Sequence, residues 1–156
     1  MGNAKILIDG VKISNLKQIN DSRGAVLHML RNDSEDFISF GECYFSEIFP
    51  SAIKAWKRHS KQIQNIAVPI GKIKLVMYDN RIGSLTEGSI MELELSRPDS
   101  YLRITIPANI WYGFKCISEI PALIINCANI PYDPEESETI DFQNNSIPYT
   151  WSNYSK

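Results

Sequence analysis

The segment Ile104-Thr-Ile-Pro-Ala-Asn-Ile-Trp-Tyr-Gly-Phe114 carries most of the information about the fold. An alternating strand runs into Pro107, and a short turn then places Trp111, Tyr112 and Phe114 at the start of the next strand. In small β-barrels such a corner delivers side chains to the open mouth, where ligands bind. The pattern therefore predicts a barrel with aromatic side chains at the entrance of its pocket.

Alternating segments recur along the whole chain and favour an all-β protein. Met91–Leu95 alternates apolar and acidic residues, and Tyr101–Ile106 places its apolar side chains on one face. Further strands are predicted at Gly24–Leu30, Gly41–Ile48, Ile66–Ile70, Lys72–Tyr78 and Ala122–Cys127. Many short strands separated by turn residues are typical of a sandwich or barrel. We therefore predict a single jelly-roll domain over residues 1–156.

Three local features extend this prediction. Ile66–Ile70 and Lys72–Tyr78 flank Gly71, a pattern that predicts either a hairpin or a bent strand. The acidic segment Pro131–Asp141 is expected to hold one short helix near Glu135–Thr139. Unpaired edge strands often pair between subunits, so we expect a homodimer.

The composition argues against several classes of function. The net charge is −2, from 16 basic and 18 acidic residues, whereas a nucleic-acid-binding protein normally has a basic excess. No apolar run is long enough to span a membrane, and residues 1–8 lack the apolar centre of a signal peptide. Cys43, Cys116 and Cys127 show neither zinc-site nor redox spacing. We expect a cytoplasmic protein with buried thiols, one reactive thiol being the alternative.

A second informative segment is Lys54-Ala-Trp-Lys-Arg-His59, which groups cations around an aromatic residue. Strand alternation places Lys57 and His59 on the same face. Combined with the aromatic corner, this segment predicts a pocket for an anionic ligand that contains a ring.

The order of the motifs resembles that of the dTDP-4-dehydrorhamnose 3,5-epimerase family, a branch of the cupin superfamily. The matching segments are Asp21–Gly24, Ile53–Lys57, Gly71–Arg81, Ser84–Gly88, Ile106–Phe114, Pro131–Glu135 and Ile147–Trp151. The resemblance implies a cupin jelly roll acting on a nucleotide-diphosphate 4-keto-6-deoxy sugar. In that family a His held by an Asp removes the proton beside the ketone, and a Tyr returns a proton to the opposite face.

Several of the family's catalytic positions hold other residues in this chain. Lys57 stands where the catalytic His is expected, with His59 two places later, and Tyr112 replaces the His of the corner. Asn144 stands at the position of the orienting Asp, and Ile124–Asn126 contains no Tyr where the acid is expected. Two hypotheses follow: an epimerase or isomerase with an altered residue set, or a non-catalytic nucleotide-sugar-binding module.

The catalytic candidates are His59 or Lys57 as the base and Tyr112 or Tyr132 as the acid. The cations beside His59 would lower its pKa and keep the imidazole neutral near pH 7. Lys57 is alternatively a phosphate-binding residue, and Tyr112 an aromatic platform. The substrate-binding candidates are Arg23, His28, Lys54, Arg58 and Asn144.

A metal site of the cupin kind is not expected. Cupins use a His-x-His pair, a nearby Glu and a later His. The corresponding residues here are Lys57-Arg-His59, Gln62 and Tyr112, which leave one imidazole among cations. We therefore predict no metal and no cofactor.

Overall fold

The computed structural model describes residues 6–152, so the first five and last four residues of the predicted domain lie outside the described residues. The regular secondary structure of the described chain consists of short strands and one 3₁₀ turn. The strands are β1 (Lys12–Asn15), β2 (Gln18–Asp21), β3 (Gly24–Leu27), β4 (Glu42–Ile48), β5 (Ile53–His59), β6 (Gln64–Ile70), β7 (Lys72–Tyr78), β8 (Ile90–Ser96), β9 (Leu102–Ile106), β10 (Trp111–Cys116), β11 (Ala122–Ala128) and β12 (Ser137–Thr139). No helix within residues 6–152 has the length and apolar character required to cross a membrane.

Two five-stranded sheets form the body of the fold. Sheet I has the order β1-β9-β6-β11-β4, and sheet II has the order β12-β5-β10-β7-β8. The recorded strand pairs are antiparallel, and β2 and β3 form a separate hairpin. From β4 to β12 the chain crosses repeatedly between the sheets, with β7 and β8 the one consecutive pair within a sheet, and the two sheets share a hydrophobic core. This arrangement confirms the all-β jelly roll that the sequence predicts.

The core lies between the two sheets and follows the alternation of the sequence. On β8, Met91, Leu93 and Leu95 are buried while Glu92 and Glu94 are exposed. These apolar side chains join others from both sheets in one hydrophobic cluster that includes Leu75, Ile66, Ile104 and Ile124. Burial of these side chains is the main force that holds the sheets together.

Gly71 marks a change of sheet rather than a hairpin. β6 belongs to sheet I and β7 to sheet II, so the strands on either side of Gly71 do not pair with each other. Gly71 has φ +75, and a Cβ there would lie 2.6 Å from the Cα of Ala122. Of the two predictions for this segment, the hairpin is wrong and the bent strand is confirmed, because only glycine fits this close approach.

The C-terminal acidic segment differs from its prediction in a way that shapes the site. Where a short helix was expected near Glu135–Thr139, Pro134–Glu136 forms a single 3₁₀ turn and Ser137–Thr139 forms β12. β12 pairs with β5, with Ser137 opposite His59. This pairing gives hydrogen-bond partners to the backbone N–H and C=O groups along the edge of β5. A helix in the same place could not supply those partners.

Replacement of Leu75 by alanine tests the core. Leu75 is fully buried between the sheets, so Leu75→Ala should lower the free energy of unfolding by about 2–5 kcal/mol. Leu85→Ala is the matched control, because Leu85 is 91% exposed and its loss should change stability by less than about 0.5 kcal/mol. Urea denaturation measures both variants, and equal effects would contradict this assignment of the core.

Candidate active site

A cavity of about 410 Å³ opens between the two sheets at one end of the jelly roll. Its walls come from both sheets. Sheet II contributes Lys57, Tyr112 and Phe114, and sheet I contributes Tyr44, Ile124 and Asn126. The volume is in the range of small-molecule sites, and the lining mixes apolar surface with a few polar groups.

His59 lies at the end of β5, behind the cavity wall, and is only 3% exposed. Its Nδ1 contacts a carboxylate oxygen of Glu136, and its Nε2 lies 3.2 Å from the hydroxyl of Tyr112. Of these three residues, Tyr112 lines the cavity. The three side chains form a continuous series that we call the proton chain, running from Glu136 through His59 to the cavity surface at Tyr112.

Glu136 is held in place by backbone donors as well as by His59. Its second carboxylate oxygen accepts hydrogen bonds of 3.1 Å from the N–H groups of Lys61 and Gln62. Burial alone would raise the pKa of Glu136, but these bonds and the contact with His59 outweigh burial and lower it. Glu136 is therefore ionised near neutral pH and acts only as an acceptor.

The charge on Glu136 fixes the tautomer of His59. Because the carboxylate can only accept, Nδ1 of His59 carries the proton, and Nε2 is left to accept from the Tyr112 hydroxyl. Burial lowers the pKa of His59 below its ordinary value of 6.5, although Glu136 opposes that shift. Burial raises the pKa of Tyr112 well above its usual range, so Tyr112 remains protonated. The proton chain thus ends in a neutral imidazole and a neutral phenol.

Among the other candidates from the sequence, Lys57 and Lys54 lie at the cavity. The Lys57 ammonium is 5.9 Å from the centre of the Tyr132 ring, but Tyr132 is 61% exposed and is not among the residues that line the cavity. Lys54 donates to the backbone oxygen of Glu47 at 2.6 Å and also to a serine hydroxyl. Of the three residues that the sequence groups around one pocket, Lys57 and Tyr112 line the cavity, and His59 lies behind Tyr112.

Four predicted substrate-binding residues lie elsewhere. Arg58 points to the outer face of sheet II, where it stacks 4.6 Å from the Trp111 ring centre and pairs with Glu138. Arg23 is exposed in the β2–β3 turn, and His28 lines a separate groove beside β1. Asn144 lines a separate groove formed by the C-terminal segment, and the carboxylate that contacts His59 is that of Glu136.

Three site residues were missed by sequence reasoning: Glu136, Tyr44 and Asn126. The alternation of β4 could have placed Tyr44 on a strand, but no sequence signal told which face of β4 meets the cavity. Glu136 is one of several acids in its segment and meets His59 across 77 residues. The residues that the structure describes contain no group of three or more His, Cys, Asp or Glu side chains able to hold a metal ion.

Comparison with known proteins shows the family. A sequence model of the dTDP-4-dehydrorhamnose 3,5-epimerase family matches residues 5–156, and the chain belongs to this family. A solved dTDP sugar isomerase from Desulfovibrio desulfuricans G20 is 45% identical, with a TM-score of 0.92 over 96% of this chain and 97% of that chain.

Two further relatives have assigned names. The probable low-salt glycan biosynthesis epimerase Agl13 of Haloferax volcanii is 32% identical over 84% of this chain and 85% of its own. The spore coat polysaccharide biosynthesis protein SpsL of Bacillus subtilis (strain 168) is 29% identical over 94% of this chain and 97% of its own. The similarity thus spans nearly the whole length of each protein.

Replacement of Glu136 by glutamine tests the assignment of the orienting residue. The carboxylate favours the protonated imidazole, so Glu136→Gln should lower the pKa of His59 further below 6.5. An NMR titration of the imidazole resonances measures this shift, and the small number of histidines, two in the chain, simplifies assignment. Asn144→Ala is the control and should leave the titration unchanged. A shift in Asn144→Ala with none in Glu136→Gln would refute the assignment.

Proposed function

We propose that this protein is a nucleotide-sugar epimerase that enolises a nucleoside-diphosphate 4-keto-6-deoxy sugar. The observation that carries the proposal is the proton chain, which connects a buried carboxylate to a phenol at the cavity wall. A C–H bond beside a ketone is a weak acid, so its ionisation needs a neutral, positioned base. Membership of the epimerase family supports the same reaction class.

In this mechanism the substrate proton leaves through Tyr112. The proton on carbon passes to the Tyr112 oxygen as the phenolic proton passes to Nε2 of His59. The electron pair of the broken C–H bond becomes delocalised onto the ketone oxygen, giving an enolate. The carboxylate of Glu136 stabilises the imidazolium that results. Coupling the two transfers avoids a free phenolate, which the high pKa of Tyr112 disfavours.

The cations of β5 supply the charge that an activated sugar requires. Lys57 lines the cavity opposite Tyr112 in the β5–β10 register, and Lys54 lines the same cavity. We assign both to the diphosphate of the substrate, since an ammonium group binds phosphate as a point charge. This assignment gives Lys57 a binding role and leaves the basic role to His59.

The alternative is a nucleotide-sugar-binding module without catalysis. This alternative is supported by the positions at which the family's catalytic residues are replaced, namely Lys57, Asn144 and Ile124–Asn126. The contact between Glu136 and His59 supports the enzyme, because it places a carboxylate at the imidazole where Asn144 has none. We therefore favour the enzyme.

Solvent exchange distinguishes enzyme from module. Incubation with a dTDP-4-keto-6-deoxyhexose in heavy water should introduce deuterium beside the ketone, detected by NMR or mass spectrometry of the sugar. His59→Gln should lower kcat for exchange by about 10²–10⁴-fold, the usual contribution of a general base. Lys57→Gln should mainly raise KM, because its charge contributes to substrate binding.

The outcomes separate the hypotheses. Nucleotide-sugar binding by calorimetry without any exchange would favour the module. Full activity in both variants would discard the site, and loss of kcat in Lys57→Gln alone would make Lys57 the base.

We also propose a cytoplasmic homodimer. Its support is the apolar surface of the edge strand β4 and its surroundings, where Phe45 is 65% exposed and Phe49 is 66% exposed, and of the β2–β3 hairpin, where Val26 is 61% exposed. Apolar surface that stays exposed in a single chain often marks an interface. The three cysteines are free thiols, as in reducing compartments.

Light scattering after size exclusion tests the oligomer. The wild-type protein should have twice the chain mass, and Phe45→Asp should shift the population towards the monomer because it places a charge in the apolar surface. The control Leu85→Asp, at an exposed site on a distant loop, should keep the wild-type mass. A wild-type monomer at high protein concentration would refute the dimer.

A further inference from the structure

Epimerisation places a geometric demand on the site that the proton chain alone cannot meet. If the protein is the epimerase proposed above, the proton must return to the face of the enolate opposite the one from which it left. Tyr112 and His59 both belong to sheet II and lie 3.2 Å apart, so they serve one face of the substrate. A donor for the other face must come from the opposite wall of the cavity.

The opposite wall carries a phenol. Tyr44 on β4 and Asn126 on β11 belong to sheet I, lie directly opposite each other in the β4–β11 register, and line the same cavity as Tyr112. The Nδ2 of Asn126 donates to the Tyr44 oxygen at 2.9 Å. Tyr44 and Tyr112 are close enough for Tyr44 to contribute to the raised pKa of Tyr112.

A series of buried amides fixes the direction of that hydrogen bond. Gln62 donates through Nε2 to the backbone oxygen of Ile130 at 2.7 Å, which leaves its Oε1 to accept from Gln64 Nε2 at 2.6 Å. The Oε1 of Gln64 must then accept from Asn126 Nδ2, which also faces Tyr44. Because a backbone carbonyl anchors the series, each amide has one orientation.

This orientation leaves the Tyr44 proton available. The Tyr44 oxygen accepts from Asn126, so its own O–H is free to donate into the cavity. Burial raises the pKa of Tyr44, which keeps the phenol protonated at neutral pH.

We propose that Tyr44 is the proton donor for the second face of the enolate, with Asn126 as its positioning residue. The Tyr44 proton moves to the carbon, the enolate electron pair forms the new C–H bond, and the ketone is restored. The Tyr44 phenolate then regains a proton from solvent, which reaches it because Tyr44 is 38% exposed, and the proton held by His59 leaves to solvent through Tyr112 and the cavity once the product departs. The phenol comes from β4 and thus replaces the Tyr that the family places near Ile124–Asn126.

Separate measurement of exchange and inversion tests this role. In heavy water, Tyr44→Phe should still introduce deuterium into recovered, uninverted sugar, because the proton chain on sheet II is intact. Inversion should fall by about 10²–10⁴-fold, the usual contribution of a general acid. Asn126→Asp should also lower the ratio of inversion to exchange, because a carboxylate accepts the Tyr44 proton and withholds it from the substrate.

The matched control is Tyr101→Phe, which removes a hydroxyl that donates to the backbone oxygen of His28, away from the cavity. It should leave both rates unchanged. Unchanged inversion in Tyr44→Phe would overturn the role of Tyr44 alone, as would equal loss of exchange and inversion in a folded variant. Absence of exchange in the wild-type protein would overturn the proposed function and this role with it.

Discussion

The site depends on one interaction, the buried contact between the carboxylate of Glu136 and the imidazole of His59. A buried carboxylate without partners costs several kcal/mol, so the chain must surround it with donors. His59 and the backbone N–H groups of Lys61 and Gln62 supply them. The same contact attaches the C-terminal segment to β5 and sets the tautomer of the imidazole. The need to pair this buried carboxylate therefore affects both the position of the C-terminal segment and the protonation of His59.

The two sheets contribute different chemical groups to the cavity. Sheet II carries the proton chain and the cations of β5, while sheet I carries Tyr44 and its amide series. A ligand held between the sheets would meet different chemical groups on its two faces. This asymmetry is what a reaction that inverts a carbon centre requires, and a jelly roll provides it because its cavity always has two walls.

The fold was largely predictable because its signal is local. Alternation placed β7, β8 and β9 nearly at their observed bounds, since burial on one face selects every second residue. The acidic segment was harder. Ser137–Thr139 has no alternating apolar pattern, and it forms a strand only because the edge of β5 needs partners. The prediction of a short helix used only the local sequence, which does not show that the edge of β5 lies beside this segment.

The sequence by itself determined the jelly roll and the family, because strand periodicity and motif order are properties of neighbouring residues. Only the tertiary structure decided that Glu136 contacts His59 and that Tyr44 lies at the same cavity as Tyr112. These are contacts between residues far apart in the chain. Strand pairing across the sheets and the need to satisfy buried polar groups create them, and no local pattern records either one.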